Sequence, residues 1–372
     1  MARTRTAGQP TRRSSSIFRT CEQVTDFSRI LIRLPTWLGD AVMATAALRA
    51  LRRRFRESTI ALMGGAHLEP LLDGSNLFDR WIVTDHATGN IRAAREFEAD
   101  VALILPHSFR SAWETWRARI PRRIGFSRQG RGWMLTDPLR PHRLAPGKRA
   151  IPMHYEYLEV VGVLGATGDG RGSLLGIPDA IAQKAEVRLA DLCIDSDRHW
   201  IGFHPGAAFG PSKIWPLDRM AQVARKLREE DGCGIVITCG PGEEELALDL
   251  EARIGGELVN LCRGLWPLDE LKVLMERLSL LVTGDTGPRH IAAGVGTPQV
   301  VLMGPTSPDY TDAFLETTSV IRKELECSPC QQKVCPLGHH RCMEEIEPDQ
   351  VIAEARRWLS AATRRTLDEN RH

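Results

Sequence analysis

Long apolar runs are missing from the chain: no stretch of about 18 consecutive apolar residues occurs, so no segment reads as a membrane-spanning helix. Excess charge is also missing. Forty-nine basic residues stand against 47 acidic ones, a formal charge of +2, which gives no global reason to expect nucleic acid as a partner. Lysine is scarce, with seven among the basic residues, so a single arginine says little and a well-placed lysine says more. The usual nucleotide fingerprints are absent. There is no G-x-x-x-x-G-K-[ST], and Gly240-Pro241-Gly242 runs on to Glu245 where a dinucleotide loop places its third glycine. Neither H-E-x-x-H nor G-x-S-x-G occurs, which leaves zinc-peptidase and α/β-hydrolase readings without support.

What is present is 372 residues with 42% hydrophobic and 26% charged content, most simply two domains. Residues 1–27 are rich in arginine and serine and carry no acid before Glu22, so they read as a disordered basic tail, a composition shared by transit peptides. That tail has no apolar core of a secretory leader. The nine cysteines are therefore expected as reduced thiols in a cytoplasmic protein. Five of them, Cys21, Cys193, Cys233, Cys239 and Cys262, are scattered, whereas Cys327, Cys330, Cys335 and Cys342 fall within sixteen residues.

Short apolar strands alternate with helical periods. Arg29–Leu34 is followed by Pro35-Thr36-Trp37-Leu38-Gly39-Asp40, and then Ala44, Ala47, Leu48, Leu51 and Phe55 recur at helical spacing. Thr59–Met63, Trp81–Val83 and Val101–Leu105 continue the series. A second series runs through His199–Phe203, Gly234–Thr238, Leu280–Thr283 and Gln299–Met303. The pattern predicts an α/β fold of two Rossmann-like doubly wound domains whose strand C-terminal loops face a central cleft. The first domain is placed at 28–180 and the second at 195–345, with 346–372 as a C-terminal helix and tail.

The strongest local signal is Thr283-Gly284-Asp285-Thr286-Gly287-Pro288-Arg289-His290, small residues between a strand and a helix, where backbone N–H groups and the helix dipole favour a phosphate. Plain helix capping by Asp285 and Thr286 is the alternative. His204-Pro205-Gly206 and Lys213 belong to a loop on the same sheet edge, with Lys213 able to neutralise phosphate. Asp40, at the first strand-to-helix loop, is either a helix cap or a general base toward a hydroxyl.

Three segments, Arg33–Met43, His204–Pro216 and Gly284–His290, resemble glycosyltransferase family 9, the ADP-heptose:lipopolysaccharide heptosyltransferases. The cysteine-rich run from Cys327 to Cys342 is similar to the tail of the heptosyltransferase II branch. The resemblance runs in order from about residue 29 to 360, with Thr36, Gly284 and Ala207-Ala208 departing from residues common in the family. It implies a GT-B fold and an inverting, metal-independent transfer of heptose from ADP-heptose to the lipopolysaccharide inner core, without a cofactor. Residue by residue it implies Asp40 as general base, Lys213 on the pyrophosphate, and Asp285, Thr286, Gly287 and His290 as the ADP-binding loop. Glu243 falls at a position that meets the nucleoside ribose. The implied partners are the ADP-heptose donor and a lipid-linked lipopolysaccharide core acceptor, met at the inner face of the cytoplasmic membrane by peripheral contact, with no nucleic acid.

Two clusters stay open. Arg117, Arg119, Arg122, Arg123, Arg128 and Arg131 form a basic stretch suited to a phosphorylated acceptor, or a solvated face. The spacing C-x2-C-x4-C-x6-C, with His339 and His340 inside it, suits either a tetrahedral metal or the packing of a loop, so the metal is left unknown. The alternatives to heptose transfer are a family 9 enzyme for another surface glycan and a non-catalytic nucleotide- or metal-binding protein.

Overall fold

A computed structural model describes residues 26–142, 151–195, 197–264, 266–311 and 316–369, so nearly all of the expected basic tail lies outside the described residues. The first sheet contains β1 (Arg29–Arg33), β2 (Thr59–Gly64), β3 (Arg80–Val83), β4 (Val101–Ile104), β5 (Arg122–Phe126) and β6 (Asp137–Leu139). The second contains β7 (Trp200–His204), β8 (Gly234–Ile237), β9 (Val259–Asn260), β10 (Leu280–Gly284), β11 (Gln299–Met303) and β12 (Thr318–Arg322). Every pairing is parallel. Ile30, Leu31 and Ile32 are fully buried although they alternate between the faces of β1, as a parallel sheet covered by helices on both sides requires.

Strand order places the chemistry. The sheets run β3-β2-β1-β4-β5-β6 and β12-β11-β10-β7-β8-β9, so sheet growth reverses between β1 and β4 and again between β7 and β10. Ligands of open parallel sheets bind outside the strand C-termini at such reversals. The loops there are Leu34–Trp37 after β1, Leu105–Ser108 after β4, the His204–Gly210 loop after β7, and Asp285-Thr286 after β10.

The opening helix, Leu38–Arg54, is built for contact on several sides. Ala41, Ala44, Ala46, Ala47 and Ala50 are all buried, and these small side chains let it approach the sheet, the helix Met153–Gly162 and the second domain's helix Gly287–Val295. Farther from the cleft, fully buried Lys272 donates to the carbonyls of Asp73 at 2.9 Å and Gly176 at 2.8 Å, joining the second domain to two segments of the first.

Some elements differ from the sequence reading. Part of the expected basic stretch is β5, a strand whose first two residues are arginines, and β6 carries Pro138, which an edge strand tolerates. β9 and β12 are short or only half-buried strands with weak apolar patterns. Cys239 and Cys262, expected as separate thiols, form a disulfide, because β8 and the turn after β9 bring their Cα atoms to 5.8 Å.

Candidate active site

Asp40 lies in the first turn of Leu38–Arg54, whose N-cap is Trp37, so it does not cap the helix. Burial is the main influence on its carboxyl and pushes its pKa up to about 6, with the Asp285 carboxylate across the cleft adding to the rise. His107 and a hydrogen bond from the Tyr157 hydroxyl act in the opposite direction. His107 comes from the loop after β4 and stands 3.0 Å from Glu156, which also takes Arg128 at 2.7 Å. The first reversal point thus gathers a carboxyl with a raised pKa, a buried phenol and an imidazole beside a second carboxylate.

The second reversal point carries the opposite electrostatics. Asp285 Oδ2 accepts from Lys213 Nζ at 2.8 Å and Thr306 Oγ1 at 2.8 Å, while Oδ1 accepts from Arg289 at 2.8 Å. Burial pushes the Asp285 pKa up, but the charges of Arg289 and Lys213 outweigh it and hold the group well below the usual carboxylate range. Lys213 also donates to the Asp285 main-chain carbonyl at 2.6 Å. These bonds answer the capping alternative: Thr286 is the N-cap of Gly287–Val295 with no side-chain cap bond, and Asp285 is committed to cations. Gly287 opens the helix, where backbone N–H groups have no partner within the helix itself. Pro288 has none, and the Thr286 N–H is taken by the Gly284 carbonyl at 3.0 Å.

The two loops touch. A Cβ on Gly39 would lie 2.5 Å from His290 Cδ2, so the glycine beside Asp40 makes room for a ring from the other domain. Burial, then Arg289, draws the His290 pKa down to about 3, which keeps the imidazole neutral.

Glu243 starts the helix Glu244–Ile254. Its carboxylate accepts from Gly240 N–H at 2.7 Å and stands 3.3 Å from His204 Nε2. Burial raises its pKa, but His204 and the Gly240 N–H more than offset this. Gly206 is needed here, since a Cβ would fall 2.1 Å from the Glu243 carboxyl carbon. A cleft of about 570 Å³ opens beside it, lined by Ala207, Gly210, Ile214, Gly242, Glu243 and Leu246. Glu245 and Asp249 also line it, so small and apolar residues share the wall with three carboxylates, of which Glu243 is the one held by Gly240 and His204. A ribose donates hydrogen bonds to such an acceptor.

With this geometry in place, comparison with known proteins is decisive. Residues 90–341 match the profile of "Glycosyltransferase family 9 (heptosyltransferase)". The chain belongs to glycosyltransferase family 9. It is 30% identical over 350 residues to "Lipopolysaccharide heptosyltransferase 2" of Salmonella typhimurium, covering 89% of this chain and 99% of that one. The Escherichia coli protein of the same name is 29% identical over 344 residues, covering 88% and 97%. The solved structure of E. coli ADP-heptose lps heptosyltransferase II superposes with a TM-score of 0.75 at 27% identity, covering 90% and 99%. A glycosyl transferase family 9 structure from Veillonella parvula gives 0.79 at 24% identity, covering 90% and 98%, a likeness of fold. The two sheets are the paired Rossmann-like halves of a GT-B glycosyltransferase.

All seven singled-out residues of this family 9 chain, Asp40, Lys213, Glu243, Asp285, Thr286, Gly287 and His290, lie on loops or helix starts at the strand C-termini. His107, Tyr157 and Glu156 escaped the sequence reading, while Arg289 and His204 stood inside its motifs without a role of their own. Of the three that escaped, His107 had a signal, a histidine directly after the strand-ending Leu105-Pro106. The basic stretch is mostly structural. Arg122 pairs with Asp137 at 2.8 Å, Arg123 donates to the Met134 carbonyl at 2.6 Å, and Arg131 is fully buried on the carbonyls of Phe126 and Ser108. Arg128 is committed to Glu156, which leaves Arg117 and Arg119 exposed.

Cys327, Cys330, Cys335 and Cys342 line one small cavity with His339 and His340. Among the described residues, no group of three or more His, Cys, Asp or Glu has a metal-holding arrangement. The segment packs behind the turn at Pro211–Lys213: the Lys333 carbonyl accepts from Ser212 N–H at 3.1 Å, and His340 Nε2 lies 2.6 Å from the Ser212 carbonyl. It braces the turn that carries Lys213.

Proposed function

We propose that the protein transfers heptose from ADP-heptose to the lipopolysaccharide inner core, in the manner of heptosyltransferase II, by an inverting, metal-independent displacement with Asp40 as general base. The observation that carries this reading is the pairing of unlike carboxylates across one cleft. Asp40, with a pKa of about 6, is poised to accept a proton near neutrality, and Lys213 with Arg289 gathers positive charge at the opposite loop. The acceptor hydroxyl attacks the anomeric carbon from the Asp40 side as the bond to ADP breaks, and its proton passes to the Asp40 carboxylate. Lys213 and the start of Gly287–Val295 take up charge on the departing pyrophosphate. Glu243 holds the ribose, and the 570 Å³ cleft takes the base. The acceptor is lipid-linked, so the reaction takes place at the cytoplasmic face of a membrane.

The test is a mass-resolved transfer assay with ADP-heptose and a mono-heptosylated inner-core acceptor in excess chelator, comparing native protein with Asp40→Asn. The expected result is the gain of a single heptose, lost in the variant while ADP still binds. Tight ADP binding without transfer by the native protein would overturn the assignment of sugar and acceptor in favour of another surface glycan.

A further inference from the structure

The helix Phe109–Arg117 begins two residues after His107 and runs away from the cleft rim for about 13 Å. Its inner face is buried through Ser111, Ala112, Glu114 and Thr115. Its outer face carries Phe109, 44% exposed, half-buried Trp113, and Trp116, 36% exposed, at helical spacing. Trp133, 62% exposed, packs edge-on against Trp116 with ring centroids 5.2 Å apart.

The segment that builds this ridge is rich in arginine, with the exposed Asp85 as an acidic neighbour of Arg110. Residues 105–136 hold seven arginines and one acid, Glu114. Glu114 is fully buried, on Arg33 at 3.2 Å and Arg110 at 2.9 Å. Arg110, Arg117 and Arg119 remain on the surface around the aromatics.

We propose that this ridge of Phe109, Trp113, Trp116 and Trp133, rimmed by Arg110, Arg117 and Arg119, docks the enzyme on an anionic lipid bilayer. Tryptophan rings settle at the headgroup level of a bilayer, and arginines meet anionic headgroups. A second copy of the chain fits less well. The four partly exposed aromatics offer on the order of a few hundred Å², short of the roughly 800 Å² per partner of a stable protein interface, and the like-charged rims would repel. The inference deepens the preceding reading, because a lipid-linked acceptor would reach the cleft from the surface on which the ridge rests.

The test is flotation of the full chain with vesicles of phosphatidylglycerol and phosphatidylcholine in equal parts, without any sugar acceptor. Its outcome is thereby independent of whether heptose is transferred. The native chain is expected to float, and to do so less as salt rises. Trp116→Ser/Trp133→Ser is expected to lose about tenfold or more in vesicle partition. Arg117→Gln should lose about fivefold. The tryptophan variant should keep the native far-ultraviolet circular dichroism and remain monodisperse, which shows that it folds. The single variant Trp133→Ser, at the more exposed position, should fall in between. Failure of the native chain to float, or equal flotation of native and double-tryptophan chains, would overturn the proposal. So would sedimentation showing that these tryptophans hold a dimer in place of lipid.

Discussion

Asp40 and Asp285 each follow one of the two strands that flank a reversal of strand order, Asp40 the first strand of its sheet and Asp285 the fourth of its own, and their surroundings drive them apart. Around Asp40 burial dominates and the partners are a phenol, an imidazole and a distant like charge, so the carboxyl titrates near 6. Around Asp285, Lys213 and Arg289 overcome the same burial and hold the charge fixed. One fold, used twice, carries a carboxyl with a raised pKa on one side and an ion-paired carboxylate on the other. The side chains reaching in from other elements decide which is which.

Neutralising each carboxylate in turn should separate the two roles most widely. Asp40→Asn should lower kcat by about 10²–10⁴-fold and leave ADP affinity within about twofold, read from transfer rates and calorimetry. Its stability should equal or exceed that of the native chain. The raised pKa means that the folded state keeps a proton the unfolded chain has released, so Asp40 weakens the fold as pH rises from about 4 through 6. Asp285→Asn should do the reverse. Leaving Lys213 and Arg289 without their partner costs about 3 kcal/mol or more by chemical denaturation. The depressed pKa also means that the native stabilisation is present at neutral pH and lost in acid, a slope the variant lacks.

Lys213→Ala should weaken ADP binding by roughly 10–100-fold, the range of a charge-assisted hydrogen bond, without moving the pH dependence of transfer set by Asp40. Gly39→Ala places a methyl group against His290 and should cost about 1–3 kcal/mol while lowering transfer, since the ring or the opposite loop must shift. The smallest effect belongs to Tyr157→Phe. The lost hydroxyl bond had favoured the Asp40 carboxylate, so the acid limb of kcat/KM should move to higher pH with maximal turnover little changed.

The main outline of this division was legible in the chain. Asp40, Lys213 and Asp285 follow apolar strands, and any doubly wound fold delivers such loops to one edge. The partners that set their protonation were not legible. Tyr157 belongs to a helix more than a hundred residues from Asp40, and nothing in its own neighbourhood marks it as facing a carboxylate. Arg289 stood inside the motif, but its bond to Asp285, four residues earlier, depends on a helix start that leaves the aspartate free of capping. The arginines from 117 to 131 were the converse case. Their density suggested a ligand surface, whereas β5 and the turns beside it consume most of them on carbonyls and carboxylates. The Cys239–Cys262 bond was hidden because strand β8 and the turn after β9 are adjacent only once the sheet has formed.

The measurement that bears most directly on the contrast is the pH profile of kcat/KM for native protein and Asp40→Asn, taken with ADP affinity at each pH. Native transfer should fall below a limb near pH 6, with ADP affinity nearly flat across it, and the variant's residual transfer should show no such limb. A limb near 6 that persists in Asp40→Asn, or ADP affinity that collapses with it, would contradict the assignment of the titrating base to Asp40 and of the fixed charge to Asp285.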